Sequence, residues 1–162
     1  MRATHNPIKK TKVANILIVE DEPAIQELLA FNIKQSGYRV IQAYGVASAL
    51  AHINRALPLP DLILLDWLLP DGYGVNLVRN LRADQRTYHI PIIMLTARTD
   101  QRDKALGLKS GANDYITKPF SPRELMARIH AVLSHYTGGE TVHTTDSELP
   151  PVTHNISAGK AA

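Results

Sequence analysis

The sequence of 162 residues contains no cysteine, so a disulfide cannot form. No apolar run comes near the roughly 20 residues that a membrane-spanning helix requires. The segment from Met1 to Val13 is basic and polar and has no apolar core of the kind found in signal peptides. From these absences and a formal charge of only +3, we expect a soluble, cytoplasmic protein that does not associate with membranes.

Two further kinds of site are missing. The histidines are scattered, and none follows a zinc-binding spacing. There is no glycine-rich nucleotide loop of either common kind, which argues against a nucleotide-binding enzyme. With 44% hydrophobic residues, the chain is large enough for one globular domain flanked by tails. We expect residues 1–14 to be a basic, flexible arm and residues 15–136 to be the domain.

Four short apolar runs carry the main signal of the sequence. They read ILIV, LILL, IIML and YIT, and residues with reactive side chains follow them: Glu20 and Asp21, Asp66, Thr96 and Lys118. The carboxyl ends of parallel strands meet at one edge of a sheet, where open α/β sheets bind their ligands. We therefore expect three carboxylates, a hydroxyl and an ammonium group to share one pocket.

The segments between the apolar runs change from period 2 to period 3.6, which indicates helices. The last helix has the clearest start, with Ser121 as N-cap, Pro122 at the first helical position and Glu124 completing a capping box. Five strands alternating with five helices predict a doubly wound α/β fold with a parallel sheet. The predicted helices are Pro23 to Ser36, Ala47 to Leu57, Val75 to Ala83, Asp100 to Ser110 and a fifth from Pro122, and Tyr38 to Ala43 is the second strand.

The expected pocket needs a cation. Two carboxylates about 4 Å apart repel each other by roughly 4 kcal/mol at an effective dielectric constant near 20. Mg²⁺ prefers oxygen ligands and is usually held by one or two carboxylates together with a phosphate. Glu20 and Asp21 would hold the metal, and Asp66 would serve as ligand and as nucleophile for a phosphoryl group. Lys118 and Thr96 would then contact the phosphoryl oxygens.

Each of these residues also has a purely structural interpretation. Asp21 and Glu22 before Pro23 suit a helix N-terminus, and Asp66 suits a turn. Thr96 suits the end of a β-branched strand, and Lys118 suits a solvated surface. Four such coincidences at four strand ends would be needed together, and this favours the phosphoacceptor interpretation.

Four longer segments carry a family resemblance: ILIVEDEP, PDLILLDWLLPDGYG, IPIIMLTAR and GANDYITKPFSPREL. They resemble the receiver domain of bacterial two-component response regulators, and most closely the OmpR/PhoB subfamily. The resemblance implies a flavodoxin-like fold with strand order 2-1-3-4-5. It also implies Mg²⁺ as cofactor, a sensor histidine kinase as phosphoryl donor, and the backbone carbonyl of Leu68 as a further metal ligand.

The resemblance also implies how phosphorylation is transmitted. Thr96 is expected to move toward the phosphate and to free the space into which Tyr115, the switch aromatic, turns. The face formed by the fourth helix, fifth strand and fifth helix is expected to form a homodimer. Its expected ion pairs join Lys104 with Glu124 and Asp114 with Arg128. Lys109, Asn113 and His130 depart from the charges usual in the subfamily, so part of the ion-pair set is lost or changed.

The last segment, residues 137–162, is expected to be a polar linker. Its sequence ELPPVTHNISAGK faintly resembles the start of a winged-helix effector domain, and DNA binding is expected only through that missing domain. In the full-length parent, the expected role is transcription regulation.

Two other functions fit the sequence less well. An aspartyl-phosphate hydrolase would need an acidic residue where Leu68 stands. A phosphorylation-independent interaction module would not need Asp66, Thr96 and Lys118 intact. We expect no enzyme activity beyond slow self-dephosphorylation, because Leu68 and Arg98 flank the path of the hydrolytic water in receivers. The apolar Leu68 cannot orient that water, and the long cationic side chain of Arg98 can cover the phosphoryl group.

Overall fold

The computed structural model describes residues 12–55, 58–97 and 101–136, with only the backbone of residues 101–103. Most of the expected arm (residues 1–11), the expected linker (residues 137–162) and Arg98 lie outside the described residues, so those expectations stay predictions.

The described chain alternates strands and helices almost throughout. The strands are β1 (Asn15–Val19), β2 (Arg39–Ala43), β3 (Leu62–Asp66), β4 (Leu68–Leu69), β5 (Gly72–Tyr73), β6 (Ile92–Thr96) and β7 (Asp114–Thr117). The helices are α1 (Pro23–Gln35), α2 (Val46–Arg55), α3 (Gly74–Ala83), α4 (Gln101–Lys109) and α5 (Pro122–Tyr136). The helix bounds that fall on described residues differ from the predicted ones by at most one residue, as is usual for helix ends. Leu57, the predicted end of the second helix, and Asp100, the predicted start of the fourth, lie outside the described residues.

Five strands form one sheet in the order β2-β1-β3-β6-β7, and every neighbouring pair is parallel. Numbered by their place in this sheet, they follow the predicted order 2-1-3-4-5, which confirms the predicted fold. The remaining two strands, β4 and β5, pair with each other as a short antiparallel hairpin directly after β3. The sequence predicts only a turn there, because strands of two residues are too short to show a periodicity.

The sheet is covered on both faces. Its two central strands, β3 and β6, are buried at every position, as expected for parallel strands between two helix layers. Leu17, Val19 and Leu65 pack toward α2 and α3 on one face. Ile18 and Leu64 pack toward α1 and α5 on the other face. Helices thus cover both faces of the sheet, and a ligand would bind at the polar edge where the strands end.

Helix α5 begins with the predicted N-cap and the predicted proline. Pro122 is its first residue, and the backbone N–H of Glu124 donates to Ser121 Oγ at 3.0 Å. The Glu124 carboxylate lies 3.5 Å from Nε of Arg128. Within residues 12–55, 58–97 and 101–136, no helix has both the length and the apolar character needed to cross a bilayer.

Candidate metal and phosphoacceptor site

The structure brings the five residues predicted from strand ends to the same edge of the sheet. Glu20 and Asp21 directly follow β1, and Asp66 and Thr96 are the last residues of β3 and β6. Lys118 follows β7, and its backbone N–H donates to the Thr96 carbonyl at 2.7 Å. Because β1, β3, β6 and β7 are consecutive neighbours in the sheet, these side chains converge on one pocket.

Lys118 links two of the carboxylates. Its Nζ lies 2.7 Å from Glu20 Oε2 and 3.2 Å from Asp66 Oδ2. Glu20 is almost fully buried, with a side-chain exposure of 1%, and Asp66 has a side-chain exposure of only 10%. The ammonium group is thus enclosed between two carboxylates that solvent screens poorly.

Glu20, Asp21 and Asp66 form an acidic cluster. One oxygen from each lies within 4.8 Å of the others, close enough for all three to contact the same ion. The cluster carries three carboxylates against the single ammonium of Lys118, and all its donors are oxygens, the ligands that Mg²⁺ prefers. This donor set fits a divalent cation.

The ionisation of these groups reflects their burial. Burial raises the pKa of Glu20 above its usual value, although the hydrogen bond from Lys118 opposes the rise. Burial also raises the pKa of Asp66, although the positive charge of Lys118 opposes the rise. Burial alone would lower the pKa of Lys118, but its hydrogen bond to Glu20 and the charge of Asp66 outweigh burial and raise it. The pocket without a cation therefore disfavours its own carboxylate charges, a condition that metal binding relieves.

Two supporting residues escaped the sequence analysis. Gln26, fully buried in α1, places Nε2 within 3.2 Å of the carbonyls of Ile18, Glu20 and Ala43, and so ties α1 to the ends of β1 and β2. A signal for it exists, because Gln26 occupies the same apolar stripe as Leu29 and Ile33.

The second is Gly74, the first residue of α3. A Cβ on Gly74 would lie 2.2 Å from the carbonyl oxygen of Asp66. Only glycine lets α3 approach the end of β3 this closely.

Comparison with known proteins decides the family. Residues 16–130 match the response regulator receiver domain. The chain belongs to this family.

Its curated relatives include phosphate regulon transcriptional regulatory proteins named PhoB. The protein of Escherichia coli (strain K12) is 44% identical over 148 residues, which cover 90% of this chain and 64% of that protein. The Pseudomonas aeruginosa protein is 45% identical over 151 residues, covering 91% of this chain and 65% of that protein. The chain thus spans slightly less than two thirds of the length of these relatives, and it is a phosphorylation-accepting domain of a two-component system.

Solved structures similar to this chain include a response regulator and a receiver domain. A putative response regulator from Chloroflexus aurantiacus superposes with a TM-score of 0.72 at 38% identity, covering 76% of this chain and 99% of that one. A CheY-like receiver domain protein from Methanospirillum hungatei superposes with a TM-score of 0.71 at 29% identity, covering 78% of this chain and 98% of that one.

The two residues expected to transmit the signal, Thr96 and Tyr115, line the same small cavity. Thr96 is buried, and Tyr115 is partly buried in β7 with Lys104 Nζ 4.6 Å from its ring centroid. A cavity of about 10 Å³ adjoins both Thr96 and Tyr115, which is room for about one water molecule. The ring of Tyr115 is too large to enter this space as it stands.

The charged residues of the expected dimer face have partners within the chain. Arg128 Nη1 donates to both oxygens of Asp114 at 3.0 Å, and Arg128 Nε lies 3.5 Å from Glu124. Lys104 contacts the ring of Tyr115. The predicted Asp114 and Arg128 pair is thus formed inside one chain.

Asn113, one of the departures from the subfamily pattern, joins several parts of the fold through hydrogen bonds. Its Oδ1 accepts hydrogen bonds from Arg82 and from the backbone N–H of Ile92, and its Nδ2 donates to the hydroxyl of Tyr136. Of the other two departures, the His130 ring lies 5.8 Å from the ring of Tyr38, and Lys109 is exposed at the end of α4.

Proposed function

We propose that Asp66 is the phosphoacceptor of this receiver domain, that Mg²⁺ is its cofactor, and that a sensor histidine kinase is its phosphoryl donor. One observation carries the proposal: Lys118 Nζ bridges Glu20 and Asp66 at 2.7 and 3.2 Å inside a cluster of three carboxylates. This arrangement supplies a nucleophile, charge for the transferred group and ligands for a cation in one pocket.

The reaction uses the side chains as follows. A carboxylate oxygen of Asp66 attacks phosphorus, and a bond forms between them while the bond from phosphorus to the donor imidazole nitrogen breaks. The electron pair of the broken bond stays on that nitrogen, which takes up a proton. Lys118 then faces a phosphoryl oxygen as a point charge, and the Thr96 hydroxyl donates to another.

The cofactor would be held by Glu20, Asp21 and Asp66, with the backbone carbonyl of Leu68 as a further ligand. When bound, Mg²⁺ neutralises the carboxylates and the transferred phosphoryl oxygens. Glu20 is kept in place by its own neighbourhood, since its Oε1 accepts from the backbone N–H of Glu22 at 3.1 Å.

The phosphorylated domain is proposed to be long-lived and to act as a switch rather than as an enzyme. Leu68, two residues beyond Asp66, has an exposure of 57%. An apolar side chain at this position cannot orient the water that would hydrolyse the acyl phosphate.

The switch is proposed to run from Thr96 to Tyr115 and then to the α4-β7-α5 face. Movement of Thr96 toward the phosphoryl group enlarges the 10 Å³ cavity, and Tyr115 turns inward. Its ring then withdraws from Lys104, which becomes available to Glu124 of a second copy. Because Arg128 already pairs with Asp114 in one chain, the dimer gains little from that pair, and exposed pairs are worth only about 0 to 1 kcal/mol each.

A role in transcription regulation is proposed from the relatives, which are named transcriptional regulatory proteins. DNA binding would reside in an effector domain outside the receiver fold. The domain division into an arm, a receiver and a linker belongs to the same proposal.

Phosphorylation is tested with acetyl phosphate as donor. Incubation with Mg²⁺ should add the mass of one phosphoryl group, and chelation of the metal should prevent the addition. Asp66→Ala should gain no mass, while Asp84→Ala, which removes an exposed carboxylate at the end of α3, should react like the wild type. Equal rates for Asp66→Ala and the wild type would refute the assignment.

Dimerisation is tested by sedimentation with and without beryllofluoride, a phosphoryl mimic. The mimic should raise the average mass at tens of micromolar protein. Lys104→Glu should abolish the increase, and adding Glu124→Lys to it should restore the increase. A mass that does not respond to the mimic would contradict the proposed dimer.

A further inference from the structure

The hairpin that follows Asp66 is held at its tip by a residue from outside the acidic cluster. Asp71, in the turn between β4 and β5, reaches the N-terminus of α2. Its Oδ1 accepts from the backbone N–H of Val46 at 2.7 Å, and its Oδ2 accepts from that of Ala47 at 2.9 Å. These N–H groups belong to the first turn of α2, where no intrahelical acceptor exists for them.

Gly45, just before α2, also contributes to the contact between Asp71 and α2. A Cβ on Gly45 would lie 2.7 Å from Oδ1 of Asp71, so the missing side chain makes room for the carboxylate. Gly45 has no positive φ, and its backbone does not itself require glycine. The hydrogen bonds from Ala47 and Val46 lower the pKa of Asp71, because they stabilise the ionised carboxylate.

The base of the hairpin is fixed independently. The backbone N–H of Gly74 donates to the carbonyl of Trp67 at 2.8 Å, and Leu68 pairs with Tyr73 across the two strands. The hairpin therefore runs out from the last residue of β3 and returns to the first residue of α3. Leu68 sits on it between the fixed base and the tip held by Asp71.

We propose that Asp71 is a positioning residue for the metal site: by fixing the hairpin to α2, it sets the position of the Leu68 backbone carbonyl. The inference rests on the proposed function, since it takes Mg²⁺ to be bound by Glu20, Asp21, Asp66 and that carbonyl. A hairpin of two-residue strands has little stability of its own, so the external contact decides how firmly the carbonyl is placed. The same contact sets where the Leu68 side chain stands beside Asp66.

Calorimetric titration with MgCl₂ tests the inference without any reaction. Asp71→Ala should weaken Mg²⁺ binding about tenfold, the lower end of the cost of removing groups that orient metal ligands. Asp71→Asn, which keeps one acceptor oxygen, should fall between Asp71→Ala and the wild type. Gly45→Ala, which displaces the carboxylate from the other side, should weaken binding in the same direction.

Ser48→Ala is the matched control. Ser48 Oγ accepts from the backbone N–H groups of Tyr44 and Gly45 at 3.0 and 3.2 Å, so its loss also weakens the start of α2 but leaves the hairpin contact in place. Its Mg²⁺ affinity should equal that of the wild type. An equal loss in Ser48→Ala and Asp71→Ala, or no loss in Asp71→Ala, would overturn the inference.

The failure of the proposed function has a different signature. If the wild type binds no Mg²⁺, or if Asp21→Ala binds it as tightly as the wild type, the proposed metal site is wrong and this inference falls with it. If Asp21→Ala loses binding while Asp71→Ala, Asp71→Asn and Gly45→Ala retain it, only the role of Asp71 is refuted.

Discussion

Replacing Asp66 by asparagine should stabilise the fold when no divalent cation is present. One carboxylate oxygen from each of Glu20, Asp21 and Asp66 lies within 4.8 Å of the other two, and each pair at that distance repels by about 3.5 kcal/mol at an effective dielectric constant near 20. The attraction between Asp66 Oδ2 and Lys118 Nζ, which lie 3.2 Å apart, amounts to about 5 kcal/mol at the same dielectric constant. The two repulsions exceed this attraction by about 2 kcal/mol. Because Asp21 is exposed, solvent screens its share of the repulsion, which lowers the net penalty on the Asp66 charge to about 1 kcal/mol.

Urea unfolding in EDTA and in Mg²⁺ measures this effect. In EDTA, Asp66→Asn should be more stable than the wild type by about 1 kcal/mol, or about 4 °C in Tm. With Mg²⁺ at ten times its Kd, the wild type gains about 1.4 kcal/mol. The variant gains less because a charged ligand is gone, so its advantage in stability should shrink or disappear.

The pH dependence has a defined sign. Burial raises the pKa of Asp66 in the folded state, so the penalty on its charge is full above that pKa and disappears as the pH falls through it. The advantage of Asp66→Asn in EDTA should therefore shrink as the solution is acidified.

Asp84→Asn serves as the control for Asp66→Asn. Asp84 is exposed at the end of α3, and its Oδ1 accepts from the backbone N–H of Arg86 at 2.8 Å. Its replacement should change stability equally with and without Mg²⁺. A lower stability of Asp66→Asn in EDTA, or an equal gain from Mg²⁺ in Asp66→Asn and the wild type, would refute the reasoning.

Four further outcomes are expected. Leu68→Asn should speed the loss of the phosphoryl group, because an amide can orient water; an unchanged decay rate would contradict the role given to Leu68. The emission of Trp67, the only tryptophan, should change with Mg²⁺ in the wild type and not in Asp21→Ala; an undiminished response in the variant would place the metal elsewhere. Gly74→Ala should lower the free energy of unfolding by about 1 to 3 kcal/mol, measured in urea, because its Cβ meets the Asp66 carbonyl. Gln26→Leu should lower it by about 1 to 3 kcal/mol, because buried carbonyls lose a donor.

The framework of this fold was predictable because each apolar run is followed by a change of period. Strands β3 and β6 are buried throughout, so their sequences are apolar up to the last residue, which is Asp66 in β3 and Thr96 in β6. Pro23 and Pro122 marked helix starts that the structure confirms. The convergence of Glu20, Asp66 and Lys118 followed from parallel topology, which brings strand ends together whatever the separation along the chain.

Other features depend on contacts that sequence spacing does not encode. Asp71 looks like an ordinary turn residue, and only the fold places it against the start of α2. Gly74 looks like part of a glycine-containing loop. The requirement for glycine at this position is visible only from its distance to the carbonyl oxygen of Asp66. The charges of Asp114 and Arg128 indicated an ion pair, but not that the pair forms inside one chain.

The most direct test of the central claim is chemical mapping of the phosphorylated residue. Borohydride reduces an aspartyl phosphate to homoserine, and peptide mass spectrometry then locates the reduced residue. After reaction with acetyl phosphate and Mg²⁺, we predict homoserine at position 66 and at no other aspartate. Reduction at Asp21 or elsewhere, with Asp66 unchanged, would contradict the account.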